Sequence, residues 1–303
     1  MKKSYRANAG ISKMNLPKLE LINGILDDYR AQGLRLTLRQ LYYQMVARDH
    51  IPNNMAEYKK IINLCTKGRM GGLIDWDSIE DRLRRPRLPY WSIDVEDALE
   101  DTARTYRVDR QKGQDWNVEV WLEKEALSAI VGRVTSKYHV RLMVNRGYSS
   151  CTAMRDAHQR FQRHDNNVIL YMGDHDPSGL DMIRDVDDRV GEFNTKQNGY
   201  DLKVKHIALT MDQILEFCPP PNFAKVTDSR AQEYINVYGN VSWEIDAIEP
   251  QVLSDTVENH IKDWIDVDLY EQQVAIEKED KANLTRIAEN YKDVLDYLDE
   301  IVE

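Results

Sequence analysis

The chain has 303 residues, of which 42% are hydrophobic and 30% charged, enough for one large or two ordinary domains with buried cores. It contains no run of about 18 apolar residues, and its basic N-terminus lacks the apolar stretch of a secretory signal, so we expect a cytoplasmic chain with no membrane partner. The three widely spaced cysteines, Cys65, Cys151 and Cys218, fit a reducing compartment and match no zinc-ligand spacing.

Charge is distributed unevenly along the chain. The formal net charge is −10, but residues 1–90 hold 17 Lys and Arg against 9 Asp and Glu, and residues 91–303 hold 24 against 42. A basic N-terminal third attracts a polyanion such as DNA or RNA. The alternative is that both charge runs are solvated faces.

The N-terminal third has the pattern of several short helices. Four are predicted: Pro17 to Gly33, Leu38 to about Arg48 behind the N-cap Thr37, about Asn54 to Lys67, and a shorter one from about Asp77. Short helices with a basic tail are typical of a helix-turn-helix or winged-helix domain, which we place at residues 1–110. Any small helical bundle gives much the same pattern.

The basic residues of this part are the predicted DNA contacts. They are Lys67, Arg69, Arg82, Arg84, Arg85 and Arg87. Phosphate contacts of this kind supply affinity without sequence preference.

The middle of the chain alternates short apolar runs with helical patterns. The runs are Val118–Leu122, Arg141–Val144, Val168–Met172 and Leu202–Leu209, and helices are predicted from Lys124 to about Lys137, from the loop Asn145–Ser150 to about His164, and from Gly179. Val168–Met172 is continuously apolar, as a strand buried on both faces should be. This βαβαβα order predicts a parallel sheet with crossover helices over residues 111–220.

Residues 221–303 form the third predicted part. Three prolines after Cys218 mark a boundary or a rigid loop, and the stretch from about Val252 to Glu303 has a helical, strongly acidic pattern. We expect this part to pack on the core or on a second subunit. The fold class is therefore α/β at the centre and mixed α+β overall.

The strongest chemical signal is the loop GDHDPSG, residues 173–179, directly after the predicted strand Val168–Met172. Ligands of open α/β sheets bind beyond the carboxyl ends of strands, so Asp174 and Asp176 can converge with Glu123, which ends the strand Val118–Leu122. Two unit charges roughly 4 Å apart repel by about 4 kcal/mol at an effective dielectric of about 20. A divalent cation removes that penalty, and hard oxygen ligands indicate Mg²⁺ or Mn²⁺.

Two other interpretations of this loop remain open. In the first, Asp174 caps the following helix and Asp176 makes a turn, as aspartates between a strand and a helix often do. In the second, the chain is a phosphatase of the haloacid dehalogenase type, which also places Asp-x-Asp after a strand and uses the first aspartate as nucleophile. That phosphatase gives no role to Glu123.

A pair of tyrosines, Tyr42 and Tyr43, lies on the second predicted helix. A tyrosine hydroxyl can attack a phosphodiester and hold the broken strand covalently. Its reference pKa of about 10 means that it needs a neighbouring cation or metal, and Arg39 lies one turn before Tyr43. The competing interpretation is that both tyrosines are core residues.

Together these motifs resemble the topoisomerase VI A subunit and its relative, the meiotic double-strand-break transesterase. Thr37–Tyr43 (TLRQLYY) is similar to the helix of the catalytic tyrosine, while Glu123 and Asp174/Asp176 are similar to the glutamate and the Asp-x-Asp of the Toprim domain. Arg146–Ser150 resembles the glycine-containing loop before the third Toprim helix. The motifs occur in the family's order, and the resemblance covers about residues 35–210.

The resemblance implies a type IIB topoisomerase-like enzyme, a DNA endonuclease that cuts both strands by tyrosine transesterification. It implies Tyr43 as the nucleophile, Arg39 as its helper at the scissile phosphate, and Mg²⁺ held by Glu123, Asp174 and Asp176. It also implies a homodimer, because in this family the tyrosine of one subunit meets the metal of the other.

The chain is short for a full A subunit and resembles the minimal forms carried by mobile elements and phages, which implies a bacterial, phage or mobile-element source. It contains no ATP-binding motif. Strand passage would therefore require a separate ATPase B subunit.

Two functions from other classes stay open. One is a Toprim nuclease that hydrolyses DNA with metal-activated water, in which Tyr43 is structural. The other is a non-catalytic DNA-binding or accessory protein. The segment Lys225–Glu249 has a family-like composition, but Glu244 and Asp246 receive no role from the sequence beyond a structural one.

Overall fold

Helices flank a central alternation of strands and helices. The structure, a computed structural model, describes residues 2, 4, 5, 10–80, 89–194, 199–223 and 231–302. Its elements in chain order are α1 (Leu16–Ala31), α2 (Leu38–Ala47), α3 (Met55–Met70), α4 (Val95–Thr105), β1 (Asn117–Leu122), α5 (Ser128–Tyr138), β2 (Arg141–Val144), α6 (Cys151–Phe161), β3 (Asn166–Met172), α7 (Pro177–Phe193), β4 (Asp201–Ala208), α8 (Met211–Phe217), β5 (Asn222–Phe223), α9 (Ala231–Tyr238), β6 (Val241–Ser242), α10 (Pro250–Lys262), α11 (Val267–Glu289) and α12 (Tyr291–Val302). The predicted α/β class is confirmed.

The first three helices begin where the sequence supplies caps. Thr37 and Gln40 form a reciprocal capping box at α2, and the Asn54 side chain accepts from a backbone N–H of α3. The three helices share one apolar core, so the predicted helices are confirmed. The predicted fourth helix, from about Asp77, is wrong as far as the described residues extend, to residue 80: a short 3-10 turn, Trp76–Ser78, forms there and Ile79 makes a β-bridge. No strand ladder accompanies the helices within residues 10–80, where β-bridges are isolated, and the winged-helix assignment stays a prediction.

Helix α4 is an element that the sequence analysis did not predict. It begins at the cap Asp94, and its apolar residues Val95, Ala98, Leu99 and Ala103 recur at helical spacing, a signal that the sequence analysis did not use. It packs on α11, and beyond its end the Tyr106 hydroxyl donates to Asp280 at 2.9 Å. The apolar face of α4 therefore packs against a helix that is distant along the chain.

The central sheet is parallel, with strand order β2-β1-β3-β4. Its register sets Leu122 of β1 beside Val144 of β2 and Met172 of β3, so the carboxyl ends of these strands meet at one edge. The strand order reverses between β1 and β3, which is where open α/β sheets bind ligands. All four predicted strands are confirmed, with ends that differ by no more than two residues.

Helices cover both faces of this sheet. Strand β3 alternates between two cores: Leu170 packs with α5 and α10, whereas Ile169 and Tyr171 pack with α6 and α7. One charged residue, Glu119, is fully buried in β1, where both carboxylate oxygens accept from Arg160 at 2.8 and 2.9 Å. Burial on both faces fixes the strand ends, and with them the residues that follow each strand.

The C-terminal part is mostly helical, as predicted. It also packs against the two preceding parts of the chain. Ala247 packs into the core of the N-terminal helices, and the backbone of Trp243 pairs with that of His175. The chain between β6 and α10 therefore contacts both the N-terminal helices and the sheet edge. Among the described residues, no helix combines the length and apolarity that crossing a membrane requires.

Candidate functional site

Two of the predicted acids meet at the switch point of the sheet. Glu123 follows β1 directly, and Asp174 follows β3 after one glycine. The backbone N–H of Asp174 donates to Glu123 Oε2 at 3.0 Å. A Cβ atom on Gly173 would lie 2.8 Å from the same oxygen, so any larger residue here would displace this carboxylate.

Asp176, the third predicted acid, caps α7. Its Oδ1 accepts from the Gly179 N–H at 2.7 Å and from the Ser178 hydroxyl at 2.9 Å. The Asp174 carboxylate instead accepts from the backbone N–H of Ile245 at 2.8 Å. The helix cap of the alternative interpretation therefore exists, but it belongs to Asp176 and not to Asp174.

A lysine lies among the carboxylates. Lys124 Nζ is 2.7 Å from Asp174 Oδ1, 2.9 Å from Glu244 Oε2 and 3.5 Å from Asp246 Oδ2. Burial alone would lower the pKa of Lys124, but these three carboxylates raise it above its ordinary value, so the ammonium stays charged. The sequence analysis missed Lys124, although its place directly after Glu123 at a strand end was a usable signal.

Arg39 joins helix α2 to the same group of charges. Its guanidinium pairs with Glu244, and its Nε lies 3.1 Å from Asp246 Oδ2. Its Cζ is 5.8 Å from the ring centre of Tyr43, and the Tyr43 hydroxyl interacts with both Arg39 and Glu244. Tyr43 and Arg39 thus reach the carboxylate cluster of their own chain.

The two tyrosines of α2 have different surroundings. Burial, reinforced by the charge of Glu244, raises the pKa of Tyr43 to about 12, although Arg39 opposes the shift. The Tyr42 hydroxyl instead donates to Asn53 Oδ1 at 3.0 Å and to the Asn54 carbonyl at 3.1 Å. Tyr43 is therefore the member of the pair that meets charged groups.

A cavity of about 190 Å³ opens beside Tyr43. The residues that line it are Arg39, Tyr42, Tyr43, Asn53, Asn54, Met55, Tyr58, Asn222 and Glu244. Only 5% of Tyr43 is exposed, so this cavity is the place where a substrate atom can approach its ring.

Carboxyl groups outnumber cations at the site. The carboxylates of Glu123, Asp174, Glu244 and Asp246 meet two cations, Lys124 and Arg39. Burial raises the pKa of Asp174 to about 7. Burial also raises the pKa of Glu123, and the negative charges of Asp176 and Asp246 add to that second shift.

The donor chemistry suits a divalent cation, because the site is rich in hard carboxylate oxygens. The spacing does not yet suit one: within the described ranges, no three acidic, histidine or cysteine side chains are grouped as metal ligands. Lys124 contacts three of the carboxylates in the cluster. A metal would therefore have to compete with this ammonium.

The loop that resembles the family's glycine-containing loop lies against Glu123. The backbone N–H of Arg146 donates to the Glu123 carbonyl at 3.0 Å, and Arg146 and Gly147 have φ angles of 55° and 102°. Tyr148 is 43% exposed beside it. This loop therefore borders the same strand edge as the carboxylates.

His175, between the two aspartates, has a structural role. Its Nδ1 lies 2.8 Å from the Tyr234 hydroxyl, and its backbone N–H donates to the Trp243 carbonyl at 2.9 Å. These contacts tie the loop after β3 to the segment that carries Glu244 and Asp246.

The predicted DNA contacts lie in three different settings. Lys67 lines a cavity of about 180 Å³ together with Lys18 and Lys60. Arg69 instead stacks on Trp76, with Cζ 4.5 Å from the ring centre, and donates to its carbonyl. The four arginines of the basic run, Arg82, Arg84, Arg85 and Arg87, lie outside the described residues.

Comparison with known proteins adds no family to these observations. A scan of family models and a search of curated proteins both find no match to this chain. The geometry of the site and the resemblance of its motifs are therefore the basis for a functional proposal.

Proposed function

We propose that this protein cleaves double-stranded DNA by transesterification on Tyr43, with Mg²⁺ or Mn²⁺, in the manner of a topoisomerase VI A subunit. One observation carries the proposal: Tyr43 lies beside Arg39 and shares a cavity with Glu244, and Lys124 joins Glu244 to Asp174 at a strand end. A buried tyrosine hydroxyl usually finds a polar partner, but the neighbours of Tyr43 are charged, whereas those of Tyr42 are neutral.

Tyr43 is the nucleophile in this reaction. Its oxygen attacks the phosphorus of a phosphodiester, forms a tyrosyl–phosphate bond and releases the deoxyribose hydroxyl of the neighbouring nucleotide. The tyrosine must lose its proton, because its pKa of about 12 keeps it neutral at physiological pH. Glu244, whose charge acts on the Tyr43 hydroxyl and which lines the same cavity, is the acceptor at hand.

Arg39 and Lys124 are the cations that stabilise negative charge on the phosphate. Both are paired with Glu244 and Asp246, so DNA must compete with these carboxylates. A divalent cation held by Glu123 and Asp174 would neutralise further charge on the phosphate. Asp176 is the least available of the predicted metal ligands, since its Oδ1 caps α7.

Double-stranded DNA is the proposed substrate and a homodimer the proposed assembly, because each chain supplies one Tyr43 and two strands must be cut. Strand passage would need a separate ATPase subunit. A cytoplasmic location remains an expectation from the N-terminus and the cysteines, and a bacterial, phage or mobile-element source remains one from the resemblance.

Hydrolysis by metal-activated water is the second candidate function. The burial of Tyr43 favours it, because only a small part of the ring is open to a substrate. In that case the carboxylates at the strand ends would act without the tyrosine.

The test is incubation of supercoiled plasmid with purified protein and Mg²⁺ or Mn²⁺, stopped with denaturant, with and without protease. Tyr43→Phe is the test variant and Tyr42→Phe the matched control. We expect protein-linked DNA ends that vanish with Tyr43→Phe and persist with Tyr42→Phe. Clean breaks with all three proteins would establish the hydrolytic nuclease instead. No breaks with either metal would contradict cleavage by this chain alone and leave a DNA-binding protein.

A further inference from the structure

We propose that the cavity beside Tyr43 binds one unstacked nucleobase of the bound DNA, and that Tyr58 and Asn222 are the residues that hold this base. The inference rests on DNA as the ligand in the proposed function, but not on cleavage. The phosphate next to the held base would then lie beside Arg39 and Tyr43, which line the same cavity.

The cavity is small, and its charged groups are paired with one another. Its volume of about 190 Å³ is below the range of roughly 300–1,000 Å³ for pockets that hold drug-sized ligands, so it suits one small planar group. The charged residues of its lining, Arg39 and Glu244, form an ion pair. A phosphate inside the cavity would be repelled by the Glu244 carboxylate, whereas a neutral base avoids that repulsion.

Three tyrosines form an aromatic wall of the cavity. Tyr42 packs edge to face against Tyr43 and Tyr58, with ring centres 5.3 and 5.1 Å away. Tyr42 and Tyr43 are at most 5% exposed, whereas Tyr58 is only partly buried. Met55, one turn before Tyr58 on α3, lines the same cavity and is 66% exposed. Bases of every kind stack on tyrosine rings, and a methionine side chain adapts to a flat ligand, so this wall suits a base.

Amide groups supply the polar edge of the cavity. Asn53 is held in place, because its Nδ2 donates to Asn222 Oδ1 at 2.9 Å and its Oδ1 accepts from the Tyr42 hydroxyl at 3.0 Å. The Asn222 amide nitrogen makes only a long contact, 3.5 Å, with Glu244 Oε1 among the described residues. Asn222 therefore keeps both a donor and an acceptor for the edge of a base, which is how asparagine pairs with adenine.

The burial of Tyr43 favours a base that has left the helical stack. Only 5% of Tyr43 is exposed, so the backbone of a regular duplex has little access to its hydroxyl. A nucleotide that turns out of the stack carries its phosphate with it toward the protein, as in enzymes that act on bases. Capture of the base therefore provides a route by which a phosphodiester reaches the buried tyrosine.

The test compares the affinity of the full chain, in chelator, for three short duplexes by fluorescence anisotropy. One duplex is fully paired, one contains a single mismatched pair, and one lacks both bases of that pair. A mismatched base costs less to extrude, so we expect the mismatched duplex to bind about tenfold more tightly than the paired one. The duplex without the two bases is flexible but offers no base at that position, so it should bind about as weakly as the paired duplex.

Variants at Tyr58 and Asn222 locate the base in the cavity. Tyr58→Ala removes the ring and Asn222→Ala removes the amide, and each should reduce the preference for the mismatched duplex to less than about threefold. Tyr58→Phe, the matched control, keeps the ring and should retain the preference. Tyr297→Ala, at an exposed position of α12, should also retain it. Circular dichroism and the thermal unfolding midpoint establish that each variant is folded.

The outcomes separate this inference from the proposed function. Equal affinity for the paired and mismatched duplexes would overturn the inference, and so would a preference that either Tyr58→Ala or Asn222→Ala retains in full. A free deoxynucleoside monophosphate that binds as tightly as the mismatched duplex would assign the cavity to a free nucleotide and also overturn it. A preference that depends on Tyr58 and Asn222, in a chain that cuts no plasmid, would support the inference and contradict the cleavage. No binding to any duplex would contradict both.

Discussion

Asp174 is the residue whose environment departs most from that of an ordinary carboxylate. Burial raises its pKa to about 7, and Glu123 adds to the shift, while Lys124 opposes it. A carboxyl group that holds its proton near neutral pH gives the metal-free site a pH dependence in the physiological range.

The sign of that dependence follows from linkage. In the metal-free protein at about pH 4 to 7, folded Asp174 retains its proton whereas the unfolded residue loses it, so rising pH lowers the free energy of unfolding. Asp174→Asn removes this contribution. We expect the thermal midpoint of Asp174→Asn, relative to the unaltered chain in chelator, to increase from about pH 5 to about pH 7.5.

The thermal midpoints of Asp174→Asn and of the unaltered chain must be compared at each pH, because another group titrates in the same range. Burial lowers the pKa of His206 to about 4, and this opposes the trend, since stability from a neutral histidine is lost as the pH falls. His206 is present in both proteins and its effect cancels in the difference. Parallel pH profiles for the two proteins would contradict the assignment to Asp174.

The junction of β3 and α7 is the element that sets the geometry of the site. It is tight: a Cβ atom on Gly179 would lie 2.1 Å from the carbonyl oxygen of Asp174. Asp176 closes the same junction by capping α7. Because Gly179 has no side chain, the Asp174 backbone can lie directly against the start of α7.

Two glycines of α7 give a matched test of this junction. Gly179→Ala forces a methyl group into backbone and should lower the free energy of unfolding by about 1–3 kcal/mol or more. Gly191→Ala meets nothing within 4 Å and should raise it by up to about 1 kcal/mol, because alanine favours helix over glycine. Urea unfolding of both variants measures the difference. Equal effects in the two would show that the junction is not constrained.

At the scale of the whole molecule, the N-terminal helices are docked on the sheet edge of the same chain. Arg39 pairs with Glu244 and Asp246, and Ala247 completes the apolar core of the N-terminal helices. The family resemblance implied that Tyr43 would meet the metal of a partner subunit. The single chain instead joins Tyr43 to its own carboxylates through Glu244.

Mixed variants distinguish the two arrangements. If each chain uses its own tyrosine and acids, Tyr43→Phe and Asp174→Asn proteins should stay inactive when mixed, because every site keeps one defect. If the site is shared, a mixed dimer contains one intact site and should nick supercoiled plasmid. The mixture should be refolded together, with each variant mixed with unaltered protein as the control, and nicked plasmid then measured on a gel.

Several features of this protein were determined by the sequence alone. The apolar runs of β1 and β3 predicted buried strands, so the positions of Glu123 and Asp174 at their carboxyl ends followed directly. The helical register likewise predicted that Arg39 lies one turn from Tyr43. These inferences succeeded because strand burial and helix periodicity are local properties of the chain.

The tertiary structure alone decided the rest. Glu244 and Asp246 lie more than 110 residues after Lys124 along the chain, so no local pattern could show that they meet. Asp176 became a cap because α7 begins two residues earlier than its apolar pattern indicated. Contacts between distant segments depend on how the helices pack on the sheet, and that packing determined which acids met the lysine and arginine.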